Sequence, residues 1–153
     1  MSLKIIENLE NLSLQMNNLQ TLPWEFGDLE NLKELQLSYN KLTHLPASIG
    51  NLKKLEKLIL DHNLLKFLPP EIGDCSSLSL LYVGKNQMEQ LPAEMGKLTN
   101  LIELSVANAG VLLVIPESFC NVYSLEYLYV DKNTIVPYCL QGRRSQKFQI
   151  IVQ

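Results

Sequence analysis

The sequence predicts an α/β repeat solenoid: a curved stack of coils with a parallel β-sheet on its concave face and loop, 3-10 or short helical segments on its convex face. Three observations lead there. The chain repeats itself at a nearly constant interval. Each copy carries a short alternation of apolar and polar residues. Each copy then places a proline, and usually a glycine, at set offsets from that alternation.

The copies run in order along the chain. LENLSLQMNNLQTLPWEFGDL starts at Leu9, LKELQLSYNKLTHLPASIGNL at Leu32, LEKLILDHNLLKFLPPEIGDC at Leu55 and LSLLYVGKNQMEQLPAEMGKL at Leu78. LIELSVANAGVLLVIPESFCNV follows at Leu101 and LEYLYVDKNTI at Leu125. The intervals are 23, 23, 23, 23 and 24 residues, giving six copies, five of them complete. Such self-similarity marks units that cannot bury their own apolar face and must stack to do so.

The shared pattern, LxxLxLxxNxLxxLPxxIGxL, reads element by element. LxLxx alternates, which is a short strand with one buried face. LPxxIG puts a proline where no backbone donor is needed and a glycine where the chain is expected to turn. Asn17, Asn40, Asn63, Asn86 and Asn133 fill one column. A strand that turns sharply leaves backbone groups unpaired, and an amide that both donates and accepts can join neighbouring coils. These five residues are therefore expected to form a structural ladder.

The fifth copy breaks the pattern. Ala109 stands in the amide column, Asn108 comes one place early, and NAGVLLVIP carries an extra residue. Asn108 is expected to rescue the ladder, because an orphaned buried group is costly. Residues 1–140 form the predicted repeat domain, and residues 141–153 an irregular tail or partial cap. Carrying the register back places Leu3 and Ile6 at the turn positions of a preceding copy. The chain is thus expected to begin within a repeat, as a fragment or short isoform would.

The pattern resembles leucine-rich repeats of the typical 23-residue class. The recurrent LPxxIGxLxxLxxL is similar to that of intracellular Ras-pathway scaffolds, plant Ras-group repeat proteins and Scribble/Erbin-type polarity proteins. The resemblance spans residues 3 to about 140. It implies a curved leucine-rich repeat horseshoe segment that binds another protein on its concave sheet, with a small GTPase or a signalling enzyme as a possible partner class. The implied function is a scaffold or adaptor in intracellular signalling. The alternative is a truncated segment of a larger leucine-rich repeat receptor or regulatory protein, without independent binding activity.

The positions flanking each strand leucine point away from the core. They vary between copies, and their content is lopsided. Ile59, Leu80 and Tyr82 fall on adjacent strands, with Tyr127 and Tyr129 beyond the small residues Ser105 and Ala107. Tyr39, Lys57, Asp61, His62 and Lys85 surround the first group. An apolar, aromatic centre with a polar rim is the anatomy of a protein interface. These ten residues are the expected partner-binding set.

Composition excludes other classes. The 153 residues are 46% hydrophobic and 19% charged, with a net charge of −3, so no basic footprint for nucleic acid is present. No apolar run reaches membrane-spanning length. No nucleophile, base or phosphate-loop constellation appears, so no enzyme activity and no cofactor are expected. His44 and His62 lie in different columns, so no metal site is expected. Cys75, Cys120 and Cys139 lack CxxC spacing, and the N-terminus has no secretion signal. They read as reduced thiols of a cytoplasmic, monomeric protein, with Cys75 and Cys120 as core or turn substitutions.

Overall fold

The computed structural model of the protein describes residues 8–153. The expected placement of Leu3 and Ile6 lies outside those residues. Seven strands form one parallel sheet in chain order: β1 (Asn11–Ser13), β2 (Glu34–Gln36), β3 (Lys57–Ile59), β4 (Leu80–Tyr82), β5 (Glu103–Ser105), β6 (Tyr127–Val130) and β7 (Gln149–Val152). Pairing is in register. Leu12, Leu35, Leu58, Leu81, Leu104, Leu128 and Ile150 stack as one column. A nearly constant repeat length makes this the register that keeps the second residue of every strand inward.

The first five strands stop after three residues because the chain is then forced to turn. Met16, Tyr39, His62, Lys85 and Asn108 all have φ between 50° and 58°, the left-handed region. Such a backbone costs a non-glycine residue about 1–3 kcal/mol. The geometry around it compensates. The N–H of Tyr39 donates to the Asp61 carbonyl at 3.0 Å, that of His62 to Gly84 at 3.1 Å and that of Lys85 to Ala107 at 3.1 Å.

The asparagine that follows locks the turn. In the third repeat, the Asn63 amide nitrogen donates to the carbonyls of Leu60 at 2.9 Å and Leu37 at 3.0 Å. Its oxygen accepts the Leu42 N–H at 3.0 Å. Asn40 and Asn86 repeat the arrangement. The exposed Asn17 donates to the carbonyls of Leu14 and Gln15 in its own repeat.

Two ladder expectations need correction. Asn108 does not substitute for the missing amide; it occupies the left-handed position. Ala109 does the work with its backbone. Its carbonyl accepts the Met88 N–H at 2.6 Å and its N–H donates to Val106 at 2.9 Å. The extra residue of this repeat brings the main chain to where the amide would otherwise reach. Asn133 is exposed and joins no ladder. In the sixth repeat the Asp131 carboxylate organises the turn, accepting the N–H of Asn133 at 2.8 Å and of Asn108 at 2.8 Å.

Five 3-10 turns return the chain along the convex side: Trp24–Asp28, Ala47–Asn51, Pro70–Asp74, Ala93–Lys97 and Glu117–Asn121. Each is entered from a proline in extended conformation, Pro23, Pro46, Pro69, Pro92 or Pro116. Each proline carbonyl accepts the N–H three residues on. The fixed proline φ suits this entry, and its lacking N–H would have no partner there.

The glycines of these turns serve close packing rather than turning, since none has a positive φ. A Cβ on Gly50 would stand 2.6 Å from the Glu71 carbonyl oxygen of the next coil. Only a residue without Cβ lets consecutive turns approach this closely. Against the fifth turn lies the short helical segment Tyr138–Gln141 instead of another 3-10 turn, and Cys120, at the glycine position, carries a side chain that is bonded to it.

One continuous apolar column fills the interior. Leu58 and Leu81 in the strands, with Leu60 and Val83 just beyond them, meet Ile49, Leu52, Ile72 and Met95 in or just after the turns, all with 0% exposure. Burying each such side chain contributes about 1.5–3 kcal/mol. Cys75 belongs to this column; its thiol donates to the Ile49 carbonyl at 3.2 Å, and burial pushes it up to about 12.

The C-terminal segment is ordered into a cap. A short helix, α1 (Tyr138–Gln141), buries Leu140, and β7 pairs with β6 along four residues. Arg143 reaches back to the last turn. Its Nη1 donates to Val122 at 2.8 Å and its Nη2 to Cys120 at 3.0 Å. Its guanidinium also lies over the rings of Tyr123 and Phe148. Cys120 and Cys139 form a disulfide, with Cα atoms 5.7 Å apart. The reading of all three cysteines as free thiols therefore holds for Cys75 alone.

Candidate protein-interaction face

The concave sheet carries the predicted residues in two zones. Lys57, Leu80 and Tyr127 share the column at the strand starts with Glu34 and Glu103. Lys57 is tied to Glu34 by a 2.9 Å ion pair, and Gln36 donates to the same carboxylate. The Gln36 amide and the Lys57 ammonium together hold the Glu34 carboxyl below its ordinary range. Ile59, Tyr82, Ser105 and Tyr129 form the next column in register.

Glu103 links the tyrosines. The Tyr82 hydroxyl donates to Glu103 Oε1, and burial together with this carboxylate raises the Tyr82 phenol. The Tyr129 phenol is raised by the same two causes, burial first. The aromatic groups are thus joined through a carboxylate that sequence reasoning did not single out.

At the strand exits, Tyr39 stacks on His62 with ring centroids 4.1 Å apart and planes inclined by 16°. These two residues, with Asp61, Tyr82 and Lys85, border a depression of about 310 Å³. Its floor is made of small residues, Gly84, Ser105 and Ala107. Gly84 leaves the space open: a Cβ there would stand 2.9 Å from Asp61 Oδ1 and 2.8 Å from the Ala107 carbonyl. Asp61 is half-buried, and burial raises its carboxyl, opposed by the Gly84 N–H, His62 and Lys85. The run Ser38, Asp61, Gly84, Ala107, Asp131 was the available sequence signal, because only one position in it lacks a side chain.

A second depression, of about 540 Å³, lies at the edge where the chain leaves the sheet, lined by Met88, Glu89, Gly110, Val111 and Leu112 among others. Val111 is 90% exposed, a consequence of the longer fifth repeat. Among the described residues, no group of three or more His, Cys, Asp or Glu could hold a metal ion. No helix among them is long and apolar enough to cross a membrane.

Comparison with known proteins agrees with this architecture. A family model described as leucine rich repeat matches residues 7–65. A leucine-rich repeat protein of Leptospira interrogans is 33% identical over 95% of this chain and 37% of its own, with a TM-score of 0.85. The plant peptide hormone receptor RGFR1, solved in complex with RGF2, is 32% identical over 96% of this chain and 25% of its own, with a TM-score of 0.81. The repeat ectodomain of the Arabidopsis thaliana receptor kinase GASSHO1/SCHENGEN3, solved with CASPARIAN STRIP INTEGRITY FACTOR 2, is 30% identical over 87% of this chain and 17% of its own, with a TM-score of 0.73. The chain thus spans little more than a third of the first of these proteins, and less of the others. A search of curated protein sequences gives no significant match. The fold supports a protein–protein interaction module and is typically non-enzymatic. With its 23-residue copies, parallel sheet, stacked turns and these matches, the chain is a leucine-rich repeat protein.

Proposed function

We propose that the chain binds a protein partner on its concave sheet, as a scaffold or adaptor in intracellular signalling. The observation that supports this most is the lopsided content of that sheet. Ile59, Leu80, Tyr82, Tyr127 and Tyr129 present apolar and aromatic surface, bordered by the Glu34–Lys57 pair, Asp61, His62 and Lys85. Packing does not require these side chains, because the core lies on the other side of the sheet. A small GTPase or a signalling enzyme is the partner class suggested by the LPxxIG resemblance.

Affinity capture with the wild type against Tyr82→Ala and Tyr127→Ala tests the reading. Partners lost from both variants, with melting temperatures unchanged, support it; identical recovery from all three proteins refutes it. A pulldown with nucleotide-loaded GTPases tests the narrower partner class.

The Cys120–Cys139 disulfide favours a second reading, a segment of a larger leucine-rich repeat receptor or regulatory protein. Disulfides persist mainly in oxidising compartments, and two of the similar structures are those of a plant receptor and a receptor ectodomain. Alkylation of free thiols before cell lysis, followed by mass spectrometry, separates the readings. Free Cys120 and Cys139 support the cytoplasmic placement, and a linked pair supports the second.

A further inference from the structure

Building on the concave-face reading, we propose that the depression over Gly84 receives a cationic side chain, arginine or lysine, from the bound partner. The space is there because Gly84, Ser105 and Ala107 present little or no side chain between larger neighbours. Asp61 leans over that space with its Oδ1 beside the Gly84 position. It forms no ion pair among the described residues, whereas Glu34, Glu10, Asp74, Glu89 and Glu126 each do.

A partner seated on this face would withdraw water from the half-buried Asp61 carboxylate. That is costly unless an opposite charge replaces the water. An apolar side chain would leave the carboxylate dehydrated, and an anionic one would add repulsion from both Asp61 and Glu103. The Gly84 N–H bonds the carboxylate, and the charges of Lys85 and His62 at the border act on it, but neither of those two forms an ion pair with it. A guanidinium or ammonium satisfies Asp61. The stacked Tyr39–His62 pair at the rim gives an arginine a flat surface to lie against.

A random peptide library displayed on phage and selected on the whole chain tests this. The expected consensus contains an arginine or lysine. The best peptide should bind Asp61→Asn roughly tenfold more weakly, equivalent to about 1.4 kcal/mol. Exchanging its basic residue for glutamine should have the same effect, and both changes together should be little worse than either alone. Asp61→Asn is nearly isosteric and its side chain makes no ladder bond, so a melting curve serves as the folding control. Peptides that lose affinity for Tyr82→Ala but share no basic residue, or that bind Asp61→Asn unchanged, would overturn the cation site and leave the concave-face reading standing. A selection yielding no peptide sensitive to Tyr82→Ala would overturn both.

Discussion

Replacing Asn63 by alanine isolates the ladder's contribution to stability. The side chain is 5% exposed and engages Leu42 N–H, Leu37 O and Leu60 O at 2.9–3.0 Å, with Asp61 O at 3.4 Å. Adding these bonds as equals would overstate the loss. Leu37 O retains the Asn40 amide at 3.0 Å, and Leu60 O retains the Asn86 amide at 3.1 Å. The group left without a partner is the buried Leu42 N–H. An unsatisfied buried donor costs about 1–3 kcal/mol, and the weakened carbonyl contacts keep the total at about 2–3 kcal/mol. For a chain of this size that lowers the melting temperature by about 4–10 °C. Asn133→Ala removes an exposed side chain from the same sequence column and should change stability by less than about 0.5 kcal/mol. Thermal and urea unfolding followed by circular dichroism would measure both. Equal losses for Asn63→Ala and Asn133→Ala, or a loss below about 0.5 kcal/mol for Asn63→Ala, would refute the ladder argument.

Four further predictions rest on separate contacts. Gly50→Ala forces a Cβ against the Glu71 carbonyl and should destabilise by about 1–3 kcal/mol, whereas Gly142→Ala, whose nearest neighbour would lie at 3.5 Å, should be near neutral; the same melts distinguish them. Reducing the disulfide, or making Cys120→Ser, opens a link between residues 19 apart and should cost up to about 3 kcal/mol, with hydrogen exchange rising first in α1 and β7. Cys75 should resist iodoacetamide at mildly alkaline pH until the chain unfolds, because burial keeps the thiol protonated; rapid labelling of native protein would contradict its position in the core. Asp61 sets a pH dependence of definite sign. Burial raises its folded-state carboxyl, so the ionised group opposes folding above that value and the penalty fades as pH falls through it. Asp61→Asn should therefore be at least as stable as wild type at neutral pH, with the difference narrowing into the carboxylate range; a stabilising carboxylate would show the opposite trend.

Period, strand register and core were all legible in the sequence. An interval of 23 residues leaves one way to stack the strand leucines inward, so hydrophobicity alone dictated the sheet. The side chains that point outward were legible as positions but not as a site. Nothing in the linear pattern says that Tyr82 and Tyr129 meet on Glu103, that Tyr39 lies on His62, or that a missing Cβ at Gly84 uncovers Asp61. Those relations depend on side-chain directions between neighbouring coils. The same limit explains the corrections. Ala109 replaces an amide with its own backbone because the longer fifth repeat shifts the main chain, and Asn133 leaves its column where the Asp131 carboxylate takes over the turn, accepting the N–H of Asn133 and of Asn108. Cys120 and Cys139 lie far apart in sequence for a local motif, and only the folding back of the C-terminal segment onto the last turn brings their Cα atoms to 5.7 Å. Repetition determines what is common to every coil, because stacking energy acts identically on each. What differs between coils, and so what can distinguish one partner from another, was decided by tertiary contacts between side chains that repetition leaves free.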